Sequence, residues 1–230
     1  MSRLEHRTFE DAHAIGLVAQ EAVGAYLSLS PKIRVWPADH PVGGASYYDA
    51  KKRPMPDLIK LEDGKGVTLV EVKAKHDWWQ EGGNKGPIET VMEDRQIQSY
   101  WEVAAIQCAP VVVVFVMRID PTVLINGLYK PRGYAGCWWA KIEDLHPLLQ
   151  EEKLATKVNV RGGGRANARK LYRIQEGGPL RPMAPWDEAT KSVPMDPASW
   201  AAWRILEPKS ADPVVPLTHQ SGPLCGSPSH

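Results

Sequence analysis

The stretch PDLIKLEDGKGVTLVEVK, residues 56–73, decides how we expect the chain to fold. Two apolar runs flank a Gly-rich turn, which is the pattern of a β-hairpin. Asp57 stands at the start of the first strand, and Glu71 and Lys73 stand near the end of the second. Charged side chains are costly at strand positions that face a core, so three of them at one end of a hairpin need a chemical reason.

The register of this hairpin decides whether the charged groups meet. Glu71 and Lys73 lie on one face of their strand because side chains alternate along a strand. Directly opposed residues of two paired strands share a face, so Asp57 lies on the face of Glu71 only if an odd-numbered residue is opposite it. The residue numbers of each pair then add to an even total, as those of Asp57 and Glu71 do. A three-residue loop, residues 63–65, gives this register, whereas a four-residue loop would separate the carboxylates unless a bulge intervened.

Two carboxylates beside an ammonium group are typical of a divalent-metal site. Mg²⁺ prefers hard oxygen ligands, and phosphodiester hydrolysis needs an activated water and neutralisation of the phosphate charge. We therefore expect Asp57 and Glu71 to bind Mg²⁺ or Mn²⁺, with the Val72 carbonyl as a candidate third ligand, and Lys73 to orient the water. The alternative is a hairpin with one solvated face and surface ion pairs.

Pro56-Asp57, followed after 13 residues by Glu71-Val72-Lys73, resembles the motif of the PD-(D/E)xK nuclease superfamily, which has the restriction-endonuclease-like fold. An acid two residues before a lysine occurs five times in the chain, so this pattern is informative only together with Pro56-Asp57. Gln96 and Tyr100 are similar to the Q-x-x-x-Y motif of the RecB-like and phage-exonuclease branch, and their spacing puts them on one face of a helix.

The resemblance implies several expectations. Gln96 and Tyr100 would face the site and support Lys73 or touch the substrate phosphate. The substrate would be DNA, and an exonuclease or a repair or recombination enzyme, in phage or mobile-element biology, is favoured over a sequence-specific endonuclease. The scattered cysteines argue against the iron–sulfur cluster of some branch members. The chain has no phosphate-binding Gly-x-x-x-x-Gly-Lys-Ser/Thr motif, so any helicase or recombination partner would be a separate chain.

Other candidates lie outside the hairpin. Glu21, in a predicted first helix, is either a third acidic contributor or a solvated side chain. Residues 153–175 carry seven basic and no acidic side chains, and a second basic cluster precedes the hairpin. These segments either track DNA phosphates or are solvated, and we expect the former. The basic residues assigned to DNA are Lys51, Lys52, Arg53, Arg161, Arg165, Arg169 and Lys170.

The remaining pattern predicts a mixed α/β core with one central mixed sheet flanked by helices. We place this nuclease-like core in residues 1–150, a basic Gly-containing segment that could complete it in residues 151–175, and an extended Pro-rich tail in residues 176–230. The predicted elements are helices at 9–29, 88–108 and 142–151, strands at 33–36, 111–116 and 134–141, a loop at 39–55 that leads into the hairpin, and a mobile loop at 74–87.

The composition sets outer bounds on function. A net charge of +1 over 230 residues gives no overall attraction to nucleic acid, so any DNA-binding field must be local. The N-terminus lacks the apolar core of a signal peptide, and no apolar run is long enough for a bilayer, so we expect a cytoplasmic protein, as a monomer or homo-oligomer. Two other functions stay open: a nucleic-acid-binding or assembly module without catalysis, and a hydrolase of small phosphoesters.

Overall fold

A computed structural model describes residues 9–38, 55–75, 79–80, 88–118, 136–150, 155–160, 167–175 and 178–199. The helices in these ranges are α1 (Phe9–Leu27), α2 (Asp94–Gln107) and α3 (Ile142–Leu145), which continues into a 3₁₀ helix (His146–Gln150). The strands are β1 (Ile33–Pro37), β2 (Leu58–Glu62), β3 (Gly66–Lys75), β4 (Trp79–Gln80), β5 (Ile88–Glu93), β6 (Val111–Met117), β7 (Gly136–Lys141), β8 (Ala155–Val160), β9 (Asn167–Gln175) and β10 (Arg181–Pro185).

Six strands form a central mixed sheet in the order β1-β2-β3-β6-β7-β10. β3 and β6 are parallel, and every other neighbouring pair is antiparallel. α1 packs on one face of the sheet and α2 on the other. The predicted mixed α/β class, with a central sheet flanked by helices, is confirmed. None of the helices described here is long and apolar enough to cross a membrane.

β6 is the most buried strand of this sheet. All seven of its residues are buried, as expected for an unbroken β-branched run between two covered faces. Val113 and Phe115 pack on the side of α2, together with Ile97 of that helix. Val112 and Val114 pack on the side of α1. β3 lies directly beside β6, so its two faces are divided between the same two helices.

The β2–β3 hairpin has the three-residue-loop register that the predicted site requires. The pairs run from Leu58 opposite Val70 to Glu62 opposite Gly66, which leaves a three-residue loop. In that loop the Lys65 N–H donates to the Glu62 carbonyl at 2.9 Å. Gly64 has a φ of 78°, a value that glycine adopts without steric cost. The tight turn thus sets Asp57, one residue before β2, level with Glu71.

The predicted helix at 88–108 is wrong over its first six residues. Residues 88–93 form β5, and α2 begins only at Asp94. Ile88, Thr90 and Val91 are β-branched, and β9 offers them a pairing partner that is distant in sequence. The predicted loop at 74–87 is likewise wrong at residues 74–75, which belong to β3, and at residues 79–80, which form β4, and its other residues lie outside the described ranges.

β4, β5, β9 and β8 form a second, four-stranded sheet in the order β4-β5-β9-β8. The basic segment at 151–175 therefore supplies an antiparallel strand pair, β8 and β9. β5 leads directly into α2, so this sheet adjoins the helix that carries Tyr100.

The predicted Pro-rich tail also contributes to the core. β10 pairs with β7 at the edge of the central sheet, and Trp186 directly after it is 5% exposed. Proline lacks the N–H that a central strand needs, but an edge strand tolerates it, and Pro182 and Pro185 lie in this edge strand. The predicted tail therefore does not lie outside the core over its whole length, since residues 181–185 complete the six-stranded sheet.

Candidate active site

Asp57 and Glu71 meet at the end of the hairpin. The hairpin ladder ends at Leu58 and Val70, and the next two opposed residues are Asp57 and Glu71. Their side chains are hydrogen-bonded to each other. The Val72 N–H donates to Asp57 Oδ2 at 2.7 Å, which fixes the rotation of the Asp57 carboxyl group. The structure therefore brings together the two carboxylates on which the predicted site depends.

The pairing changes the acidity of Asp57. Burial, and then the neighbouring Glu71 charge, raise the pKa of Asp57 from 3.8 to about 7. The Val72 N–H and the Lys73 ammonium favour the ionised form and oppose this rise, but they are the weaker influences. Two close carboxylates cannot both ionise easily, so Asp57 keeps its proton over a pH range in which an exposed aspartate has already lost it.

Lys73 and Tyr100 complete the cluster around Glu71. Lys73 Nζ lies 2.7 Å from Glu71 Oε1 and 5.6 Å from the centre of the Tyr100 ring. The Tyr100 hydroxyl is hydrogen-bonded to Glu71, and burial raises the pKa of Tyr100 further above its already basic value. Tyr100 therefore stays protonated and acts as a donor, so Glu71 accepts from a phenol and an ammonium group at once.

These groups fit a small divalent cation. Val72 lies beyond the β2–β3 ladder, and its N–H points at Asp57. A residue in a strand directs its N–H and its C=O toward the same side, so the Val72 carbonyl also faces the edge where Asp57 lies. Two carboxylates and one carbonyl are hard oxygen ligands, and Mg²⁺ commonly uses one or two carboxylates and keeps several waters.

Across the ranges that the structure describes, no three His, Cys, Asp or Glu side chains cluster as a metal-binding group. A structural Zn²⁺ site takes four protein ligands, and the two carboxylates and one carbonyl described above differ from such a set.

No family model matches the chain. A comparison with curated proteins also gives no match. Among solved structures, the chain is similar to Hjc, a Holliday junction resolvase from the archaeal hyperthermophile Archaeoglobus fulgidus. The TM-score is 0.36 and the sequence identity 13%, over 70% of this chain and 84% of that chain. A likeness of this size does not transfer an activity or a substrate to this chain.

Gln96 and Glu21 are the two remaining candidates for the site. Gln96 is half-buried on α2, one turn before Tyr100, and Glu21 is exposed on α1. None of the contacts seen among the described residues joins either side chain to Asp57, Glu71 or Lys73. Their roles stay predictions.

Most of the basic residues assigned to DNA lie outside the described part of the chain. Arg169 and Lys170 are on β9, where they pair with Val158 and Lys157 of β8. The assigned residues outside the described ranges are Lys51, Lys52, Arg53, Arg161 and Arg165. The assignment of all seven to DNA stays a prediction.

One contact at the site was not predicted. Gln20 of α1 donates from Nε2 to the backbone carbonyl of Asp57 at 3.0 Å. The same carbonyl accepts the Ala38 N–H at 2.9 Å. The only signal in the sequence is that Gln20 follows Ala19, a residue on the apolar stripe of the first helix, and this does not point to Asp57.

Proposed function

We propose that this protein is a divalent-metal-dependent nuclease that hydrolyses phosphodiester bonds in DNA. The observation that carries the proposal is the contact between the Asp57 and Glu71 carboxyl groups, with Lys73 Nζ 2.7 Å from Glu71 Oε1. A hairpin with a merely solvated face would not bury the Glu71 carboxyl group, with a half-buried Asp57 carboxyl group and a tyrosine hydroxyl bonded to it. Paired carboxylates are expected where a cation must be held.

In the proposed site, Asp57, Glu71 and the Val72 carbonyl hold Mg²⁺ or Mn²⁺. When bound, the cation supplies neutralisation of the phosphate charge and a water of lowered pKa. It also removes the repulsion between the carboxylates, because its positive charge favours their ionised forms. Lys73 orients the attacking water and offsets the charge that develops on the phosphate.

Tyr100 acts through Glu71. Its hydroxyl donates to the carboxylate while its ring lies beside the Lys73 ammonium, so it restricts both side chains from the side of α2. This arrangement supports the resemblance to the Q-x-x-x-Y branch, in which Gln96 would contact substrate phosphate from the same helix face. On that resemblance we propose an exonuclease or a repair or recombination nuclease.

The basic segments are proposed to hold the DNA backbone. Phosphate contacts by Lys and Arg give affinity without sequence preference and make binding weaker at higher salt. β9, which carries Arg169 and Lys170, pairs with β5, and β5 continues into α2. DNA held along β9 would therefore run toward the helix that carries Tyr100.

Cleavage of defined DNA ends tests the proposal. Purified full-length protein is mixed with Mn²⁺, with Mg²⁺ or with EDTA, and with end-labelled linear duplex, single strands, nicked circles or closed circles. We expect metal-dependent cleavage, and we expect Lys73→Ala to slow it by about a hundredfold or more. Lys65→Ala is the matched control, because Lys65 pairs with Glu62 at 2.6 Å at the exposed turn of the same hairpin. It should cleave like the wild type.

The outcomes separate the alternatives. Loss of linear but not circular DNA indicates an exonuclease, and linearised circles indicate an endonuclease. DNA binding without cleavage under every metal condition would overturn the nuclease proposal in favour of a binding or assembly module. Cleavage of a small phosphodiester such as bis(p-nitrophenyl) phosphate, without cleavage of any DNA, would favour the small-substrate hydrolase.

A further inference from the structure

We propose that Gln20 is a positioning residue that sets the angle at which Asp57 presents its carboxylate to the metal. Gln20 Nε2 donates to the Asp57 carbonyl at 3.0 Å, and the two residues are 37 positions apart in the chain. The inference rests on the proposed metal site, and it assigns a role to α1 that no sequence motif indicates.

Asp57 needs such support because it lies outside regular structure. The β2–β3 ladder begins only at Leu58, so the Asp57 backbone lies beyond the pairing with β3, while on the β1 side the Ala38 N–H continues the register of Pro37 opposite Leu58. Two donors hold it from different directions, the Ala38 N–H at 2.9 Å and Gln20 Nε2. A carbonyl oxygen has two lone pairs, and both are used here. The carboxylate then reaches the Val72 N–H at 2.7 Å.

α1 is well suited to hold this contact. Ala19 is 1% exposed and Val23 0% exposed, and both pack against the sheet face that carries Leu58 and Val70. Gln20 lies between these two residues in the sequence and is half-buried, so the packing of α1 on the sheet determines where its side-chain amide lies. The Asp57 backbone is thereby tied to a helix on one face of the sheet, while α2 touches Glu71 from the other face.

A purely structural interpretation of the Gln20 contact predicts a different result. If Gln20 only satisfies a backbone carbonyl, its loss lowers stability and leaves the geometry of folded molecules unchanged. If Gln20 positions Asp57, its loss changes the hydrogen bond between the Asp57 carboxylate and the Val72 N–H, and it weakens metal binding by molecules that remain folded.

The test uses Gln20→Met, which keeps the length of the side chain and removes the donor. Binding of Mn²⁺ alone is measured by calorimetry on the full chain, and the Val72 amide resonance is followed by ¹⁵N–¹H NMR without metal. We expect the Mn²⁺ dissociation constant to rise roughly five- to tenfold, as for one lost hydrogen bond, and the Val72 amide proton to shift. Gln20→Glu keeps the shape of the side chain and cannot donate a hydrogen bond when ionised, so it should change the Mn²⁺ dissociation constant and the Val72 amide resonance as Gln20→Met does.

Ser28→Ala is the matched control, because it removes another side-chain-to-carbonyl bond of the same helix region, Ser28 Oγ to Gly24 at 2.8 Å. It should leave Mn²⁺ affinity and the Val72 resonance unchanged. Wild-type Mn²⁺ affinity and an unshifted Val72 amide in folded Gln20→Met would overturn the inference, as would a wild type that binds no Mn²⁺. If the wild type binds Mn²⁺ and cuts no DNA, the nuclease proposal fails, and the Gln20 measurements still decide the positioning role.

Discussion

Replacing Asp57 by asparagine should make the metal-free protein more stable at pH 8 while it removes the metal site. The wild-type carboxyl group is held beside Glu71 in a poorly solvated place, where its pKa is raised to about 7. The asparagine side chain would keep an oxygen that accepts the Val72 N–H and would carry no charge. It would also place an amide donor beside Glu71, where the wild type has a second carboxylate.

The size of the effect follows from the pKa. In an unfolded chain Asp57 titrates near 3.8, so between about pH 4 and pH 7 the folded state holds a proton that the unfolded state has lost. The free energy of unfolding of the wild type therefore falls as pH rises through this window and is level above it. The full rise of the Asp57 pKa corresponds to roughly 4 kcal/mol in the free energy of unfolding, and relaxation and water access reduce this value. We therefore expect Asp57→Asn to raise the free energy of unfolding at pH 8 by about 1–3 kcal/mol.

Urea unfolding in EDTA at pH 4 and at pH 8 measures this directly. Asp57→Asn should equal the wild type within about 1 kcal/mol at pH 4 and exceed it at pH 8, where the wild-type carboxylate is ionised. Asp63→Asn is the control, because Asp63 is an exposed aspartate in the turn of the same hairpin. Saturating Mn²⁺ should stabilise the wild type and not the variant. If Asp57→Asn is less stable than the wild type at pH 8, the claim that the ionised Asp57 carboxylate destabilises the metal-free protein is refuted.

Two further predictions concern the same cluster. Mn²⁺ affinity, measured by calorimetry, should rise by up to about tenfold per pH unit from pH 5 to pH 7 and then level off, because a proton on Asp57 competes with the cation until its pKa of about 7 is passed; a flat profile would contradict the raised pKa of Asp57. Tyr100→Phe removes the hydroxyl that donates to Glu71 and keeps the buried ring. It should lower the free energy of unfolding by about 1 kcal/mol in urea and slow cleavage, whereas Tyr26→Phe on α1 should not slow cleavage.

The hairpin could be predicted from sequence because its determinants are local. A Gly-rich turn limits the loop to three or four residues, and the loop length then fixes which residues pair. Once Glu62 is opposite Gly66, Asp57 must lie level with Glu71, and strand alternation puts Lys73 on the same face. The proximity of the three charged groups follows from these facts, while the catalytic roles assigned to them remain to be tested.

The elements that sequence reasoning missed depend on distant partners. The sequence of β5 favours the start of a helix because helix and strand periods are hard to separate in a short segment that continues into a real helix. The two prolines of β10 favour a tail, and only the free edge beside β7 makes those prolines acceptable in a strand. Gln20 touches Asp57 across 37 residues, and no periodicity within α1 reports such a contact.

The energetics of the cluster argue against a structural role for it. A buried group of charged residues is weak evidence for stability, since apolar residues of similar volume often hold a fold as well or better. Here the balance is unfavourable in the metal-free state, because burial and the Glu71 charge oppose the ionisation of Asp57 more strongly than Lys73 and the Val72 N–H favour it. The core beside them is built from apolar residues, among them those of β6 and α2. In the proposed site, a divalent cation would convert the same two carboxylates from mutual repulsion to shared attraction, which would give their placement a physical reason.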